Sequence, residues 1–236
     1  NQVRKHLKEG ATVIDIGGYS SRPGAKEVTE EEELNRTIPA IEAVLIAFPD
    51  TIISIDTFRS NVAKRAIEAG AAIINDISAG DLDKNMFSVV AEKQVPYIIM
   101  HMQGTPKTMQ DNPNYKNIIQ EIMYYFSEKI NALRKKGVID IIIDPGFGFG
   151  KTLEHNYKIL GKLNDLQLLN APVLVGISRK SMIYKLLNTS SKKSLNGTIA
   201  ANIIALQNGA NILRVHDVKE AAECLRLDNN NSLRKN

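Results

Sequence analysis

The sequence predicts an α/β fold, a parallel (β/α)8 TIM barrel short of its first strand, forming one domain over residues 1–236. Three observations predict it. Seven short, mostly apolar runs alternate with helix-length stretches, the pattern of repeated βαβ units. Each run is followed at once by polar or charged residues, whereas an open doubly wound sheet would gather such residues at one switch point. A helical stretch also leads the chain with no strand before it, so the count stops at seven where a closed barrel has eight.

Residues 1–9 read as the end of a helix, with Gly10 as its cap. Strands are expected at residues 12–16, 52–55, 72–74, 97–100, 141–143, 173–175 and 212–215. After the first of them, Thr29 and Glu32 form a capping box. Leu34, Ile38, Ile41 and Leu45 then mark one face of a helix, with a kink expected at Pro39. The next helix covers about 61–69 and stops at Gly70, and a longer one covers about 115–136 and stops at Gly137. Asp217 caps the last helix, whose Val218, Ala221, Ala222 and Leu225 face inward. The polar run 228–231 is expected to end the fold, with 232–236 a frayed tail.

Composition narrows the function. Hydrophobic residues make up 43%, enough to fill a core, and the net charge of +4 comes without any block of like charges. That excludes a basic nucleic-acid arm and favours a small anionic substrate. Cys224 is the single cysteine, which excludes an internal disulfide and favours a reducing compartment. No apolar run is long enough to span a membrane, and a cytoplasmic location is expected.

The stretch IIIDPGFGFGK, residues 141–151, is the most informative. Its isoleucines resemble a strand buried on both faces, and Pro145 ends that strand with Asp144 at its mouth. Gly150-Lys151-Thr152 looks like the end of a P-loop, but Pro145 stands where that motif needs its first glycine. The three glycines also fail the dinucleotide spacing by one residue. The other tips read Asp15 with Gly17-Gly18, Asp56, Asn75-Asp76, His101 with Gln103, Ser178-Arg179-Lys180, and Arg214 with His216. The loops at 17–29 and 102–114 are long and rich in Gly and Pro, as active-site loops are.

DIGGYSSRPGA (15–25), ISIDTFR (53–59), INDISAG (74–80), MHMQGTPKTMQ (100–110), IDPGFGFGK (143–151), GISRKSM (176–182) and RVHDV (214–218) resemble, in order, the motifs of bacterial-type dihydropteroate synthases. The resemblance implies a (β/α)8 barrel, usually a homodimer, and the sulfonamide-inhibited step of folate biosynthesis. That reaction joins 6-hydroxymethyl-7,8-dihydropterin diphosphate to 4-aminobenzoate, releasing pyrophosphate. By motif, Asp56, Asn75, Asp144 and Lys180 fall on pterin-pocket positions, and Met100 on an apolar wall of that pocket. Arg214 and His216 fall on diphosphate positions, with Arg22 in the loop above. Ser21, Pro23, Phe149 and Ser181 match positions near the aminobenzoate. Lys180, Arg214, His216 and Asp56 are the expected catalytic residues. The family's first strand ends in an Asn-Val-Thr-Pro-Asp-Ser-Phe type motif whose Asn helps hold Mg2+. Nothing here matches it, so no metal ligand is expected in this chain and a segment carrying that strand is expected to precede it.

The residue types suit this chemistry. An ionised Asp only accepts hydrogen bonds, so Asp144 selects a donor edge such as a pterin's amino group and ring nitrogen. Asn75 offers a donor and an acceptor, and Lys180 offers donors alone. Arg214 grips phosphate oxygens in pairs, and His216 donates or adds charge. Three rivals compete: a corrinoid-linked methyltransferase barrel, a Schiff-base aldolase using Lys180, and a non-catalytic pterin-binding paralogue. The Ser-Arg-Lys and MHMQGTP motifs speak for the synthase.

Overall fold

A computed structural model of the chain describes residues 1–20, 25–105, 108–109 and 112–232. Helix α1 (Gln2–Lys8) leads to β1 (Val13–Gly17), then α2 (Glu30–Ala47), β2 (Ile52–Asp56), α3 (Ser60–Glu68) and β3 (Ile73–Asp76). There follow α4 (Met86–Lys93), β4 (Tyr97–Met100), α5 (Ile118–Lys135), β5 (Ile141–Asp144) and α6 (Leu153–Gly161). The chain continues with β6 (Leu174–Val175), α7 (Ser181–Leu186), α8 (Leu195–Gln207), β7 (Ile212–Leu213) and α9 (Val218–Ser232). All seven expected strands are present.

The strands lie in sequence order and every pairing is parallel. β1 to β5 make one sheet, a bridge between Ile143 and Val173 continues it, and β6 pairs with β7. In-register pairs set Gly17 beside Asp56, Asp56 beside Asn75, and Met100 beside Asp144. The tips of β1 and β2 therefore stand level, those of β3 and β4 each reach one residue further, and β5 ends level with β4, a stagger that spacing in the sequence could not establish. Among the described residues β7 and β1 do not pair with each other. A hollow of about 370 Å³ opens between them, lined by Val13, Ser54, Ile98, Ile142, Ile212 and Leu225 among others.

That hollow accounts for one departure from expectation. Val218, Ala221 and Cys224 of α9 are buried, but Leu225 is 37% exposed. The surface it faces is the space between β7 and β1 rather than a neighbouring strand. α9 also runs through residues 228–231, which the sequence reading placed at the end of the fold. The tail at 233–236 lies outside the described residues.

Helix α2 departs in another way. Thr29 Oγ1 accepts from the Glu32 amide at 3.2 Å, but the Glu32 carboxylate pairs with Arg36 instead of closing the capping box. The buried line on α2 is Glu33, Thr37 and Ile41, while Leu34, Ile38 and Leu45 are only partly buried. Polar residues take the inner line because Glu33 fastens two loops. Its carboxylate accepts from Thr57 Oγ1 at 2.6 Å and pairs with Arg59, whose other nitrogen donates to Val28 O at 2.8 Å. The helix passes Pro39 without a break.

A second buried carboxylate anchors the β3 tip. Asp76 accepts from the Ser78 amide (2.7 Å), Ser78 Oγ (2.7 Å), the Gly80 amide (2.8 Å) and Tyr97 Oη (2.7 Å). Asp76→Ala leaves those buried donors without an acceptor, so a loss of roughly 3–5 kcal/mol in urea unfolding is expected. A loss under about 1 kcal/mol would show the cluster to be dispensable.

Candidate active site

The site is built outward from Asp144, at the tip of β5. Its Oδ1 accepts from the Gly146 amide at 2.7 Å, closing the turn that Pro145 begins. Gly146 sits at φ +70, and a Cβ there would lie 2.0 Å from His101 O. Only glycine allows the β5 loop to touch the β4 tip so closely. The two tips are also joined directly, with Met100 in register with Asp144 and the His101 amide donating to Asp144 O at 3.0 Å.

Gly176, just past β6, reports what surrounds the barrel mouth. A Cβ on it would lie 4.0 Å from Asp144 Oδ2 and 3.8 Å from Arg214 Cβ. Asp144 and Arg214 thus flank one opening. Burial raises the Asp144 carboxyl above its ordinary value, with Lys180 and Arg214 opposing the shift. Lys180 donates to Phe147 O at 2.6 Å, and its Nζ stands 4.8 Å from the centre of the Phe149 ring. Burial lowers its ammonium to about 8, an effect that Asp144 offsets in part.

Arg214 crosses the mouth. Its Nε donates to Asp15 Oδ2 at 2.6 Å and an Nη donates to Asp56 Oδ2 at 2.7 Å, joining β7 to β1 and β2 although no ladder does. Asn75 Nδ2 donates to the same Asp15 oxygen at 3.2 Å. Asp15 and Asp56 hold the guanidinium charged, against the opposing effect of burial. The other oxygen, Asp15 Oδ1, is buried with no hydrogen-bond partner among the described residues.

Burial, then the neighbouring Asp15 charge, pushes Asp56 up to about 7 from an ordinary 3.8, with Arg214 opposing. A carboxyl raised in the folded state contributes stability that is complete below its unfolded value and is lost as pH rises through the folded value. Wild type should therefore lose stability relative to Asp56→Asn between pH about 4 and about 7, by denaturant unfolding at both pH values. An equal difference at both would contradict the shift.

The structure brings Asp56, Asn75, Met100, Asp144, Lys180 and Arg214 to one mouth, as the sequence predicts. Phe149 lies beneath Lys180, and Ser181 opens α7 directly after it. His216 is exposed and turns to β6, its Nδ1 standing 3.1 Å from Ser178 Oγ. The strand ends at Leu213, so His216 leaves from the segment beyond it. Ser21, Arg22 and Pro23 lie outside the described residues.

Three contributors escaped the sequence reading. Asp15 was visible as a tip residue, but its pairing with Arg214 spans 199 positions. Arg179 forms a two-pronged pair with Asp217 at 2.8 and 2.6 Å, bracing the segments that carry Lys180 and His216. Lys151 was weighed only as a false P-loop lysine, yet it is buried beneath the mouth. Among the described residues no group of three or more His, Cys, Asp or Glu could hold a metal ion.

The family model described as "Pterin binding enzyme" matches residues 1–216. The chain belongs to the pterin-binding enzyme family of dihydropteroate synthases. It is 46% identical over 223 residues to the dihydropteroate synthase of Escherichia coli, covering 94% of this chain and 78% of that protein. It is 44% identical to that of Haemophilus influenzae, covering 96% and 82%. The Yersinia pestis enzyme in a sulfonamide complex superposes with a TM-score of 0.94 at 41% identity, covering 98% of this chain and 84% of that one. The Clostridium difficile dihydropteroate synthase solved in the presence of pteroic acid superposes at 0.91 with 39% identity, covering 97% and 85%. These neighbours agree with the TIM-barrel class, and among the described residues this chain has seven parallel strands with β7 and β1 unpaired. Among the described residues no helix is long and apolar enough to cross a membrane.

Proposed function

We propose that this chain condenses 6-hydroxymethyl-7,8-dihydropterin diphosphate with 4-aminobenzoate to give 7,8-dihydropteroate and pyrophosphate, as a transferase of folate biosynthesis. One observation carries the reading. A buried carboxylate, a lysine and an arginine from three different strand tips converge on one opening, with Gly176 touching distance from two of them.

Asp144 accepts the donor edge of the pterin, Asn75 meets its mixed edge, Lys180 donates to a ring oxygen or nitrogen, and Met100 walls the pocket. Arg214 keeps 48% of its side chain exposed, so it can offer donors to the diphosphate while Asp15 and Asp56 fix its direction. His216 and Arg22 assist there. As the bond from methylene carbon to diphosphate oxygen breaks, its electrons leave with pyrophosphate, and Arg214 and His216 stabilise that anion. The arylamine nitrogen then forms the new bond to the methylene and loses a proton. Ser21, Pro23, Phe149 and Ser181 hold the arylamine in line, and orientation of this kind can supply roughly 7–11 kcal/mol in well-aligned systems.

We also read the hollow between β7 and β1 as the seat of an eighth parallel strand. Both flanking strands present an unpaired edge there, and the lining is largely apolar. The resemblance adds Mg2+ as a cofactor. The described residues do not make a magnesium site, since Arg214 engages both Asp15 and Asp56, so we place its protein ligand on that eighth strand.

Leu186, Leu187 and Ile204 are exposed on α7, its C-terminal cap and α8, and they favour a homodimer. Sulfonamides are expected at the aminobenzoate position. The single cysteine, Cys224, is buried outside any disulfide, and we propose a cytoplasmic location.

The test is pyrophosphate release, assayed with both substrates and with each omitted, on this chain and on one extended by a strand ending in asparagine. Release by the extended chain that depends on 4-aminobenzoate supports the reading. Pterin binding without release supports the non-catalytic paralogue instead.

A further inference from the structure

Lys151 is 4% exposed, and the chemistry above gives it no part. Its Nζ donates to Phe149 O at 2.9 Å and to His101 O at 3.1 Å, and it stands 3.0 Å from His101 Nδ1. An ammonium has three protons: the two carbonyls receive two, and Nδ1 receives the third in the tautomer that leaves it unprotonated. The acceptors are loop carbonyls and an imidazole, so the charge is spent on backbone position rather than on an ion pair. His101 is itself 6% exposed, its ring packed edge-on against Tyr125 at 5.0 Å.

The two owners of those carbonyls lie on different loops. His101 follows β4, and Phe149 lies beyond β5 with its ring facing Lys180 Nζ. Their loops touch at the backbone. Gly150 sits at φ +62, where a Cβ would lie 2.6 Å from Gln103 O, and Tyr115 Oη donates to Gly150 O at 2.8 Å. On the β4 side the position is held twice, because the His101 amide also donates to Asp144 O. At Phe149 itself, among the described residues, the other backbone bond is the turn from its amide to Gly146 O at 3.1 Å. Loss of the ammonium should therefore displace Phe149 more than His101.

We propose that Lys151 is a positioning residue for the aminobenzoate step, tying the loop after β4 to the loop after β5 and so setting the Phe149 ring against Lys180. This rests on the reading of Phe149 as part of the aminobenzoate position. The test compares Lys151→Met, Lys151→Gln, Phe149→Leu and the double variants, all made in the extended chain. Steady-state kinetics, calorimetry with the pterin diphosphate alone and thermal unfolding are read together. Lys151→Gln keeps two amide protons for the carbonyls and serves if the methionine variant does not fold.

The Lys151 variants should raise KM for 4-aminobenzoate about tenfold, with affinity for the pterin diphosphate alone changed by less than about threefold. In the Phe149→Leu background the same substitutions should change that KM by less than about twofold, because the group they act through is gone. Equal effects in both backgrounds would assign Lys151 a general structural role and overturn the proposal. If Phe149→Leu raises KM and neither Lys151 variant does, the proposal fails while the reading of Phe149 stands. If Phe149→Leu leaves KM unchanged, the reading of Phe149 fails and the proposal with it.

Discussion

Asp144→Asn should weaken binding of the pterin substrate by about a hundredfold or more in calorimetry, with little loss of fold. The carboxylate offers a pterin two charge-assisted acceptors, each worth about 1.5–3 kcal/mol. Asparagine keeps one acceptor and turns an amide donor toward a donor edge, so one bond is lost and a repulsion replaces it. The retained oxygen can still accept from the Gly146 amide, which spares the turn. Asp144 is 8% exposed, so solvent cannot supply the missing acceptor cheaply. Pterin affinity within about threefold of wild type would place the substrate elsewhere.

Arg214→Met should lower kcat/KM by about a thousandfold, measured by pyrophosphate release in the extended chain. Two losses combine. The diphosphate loses its forked donor, and Asp15 and Asp56 are left facing each other without the cation between them. They can be separated by adding Asp15→Asn, which removes the carboxylate repulsion but restores no donor. Thermal stability should recover in that double variant while activity stays low. Arg214→Lys should recover less than about a tenth of the activity, because a point charge cannot bridge both carboxylates and still present a planar fork. Activity within tenfold of wild type for Arg214→Met would remove Arg214 from the reaction.

The sequence was most legible where local rules and tertiary demands agree. The strand tips at Asp56, Asn75, Asp144 and Lys180 were marked by a change from apolar to polar residues, and the barrel places them together. It was misleading on α2, where a 3.6-residue periodicity of Leu34, Ile38 and Leu45 hid the buried line through Glu33 and Thr37. A buried glutamate becomes intelligible only once Thr57 and Arg59 are seen beside it. The long helix was expected from Tyr115 but begins at Ile118, because Asn117 is extended and caps it, its Oδ1 accepting from the Gln120 amide.

From the chain's order of residues came the repeating strand and helix units, the seven tips, the count one short of eight, and the family motifs. All of these depend on neighbours within a few positions. The pairing of Arg214 with Asp15 and Asp56, the burial of Lys151 between two loops and the open seam beside β1 came only with the tertiary structure. Each depends on which distant segments curvature brings into contact, and a linear pattern carries no record of that.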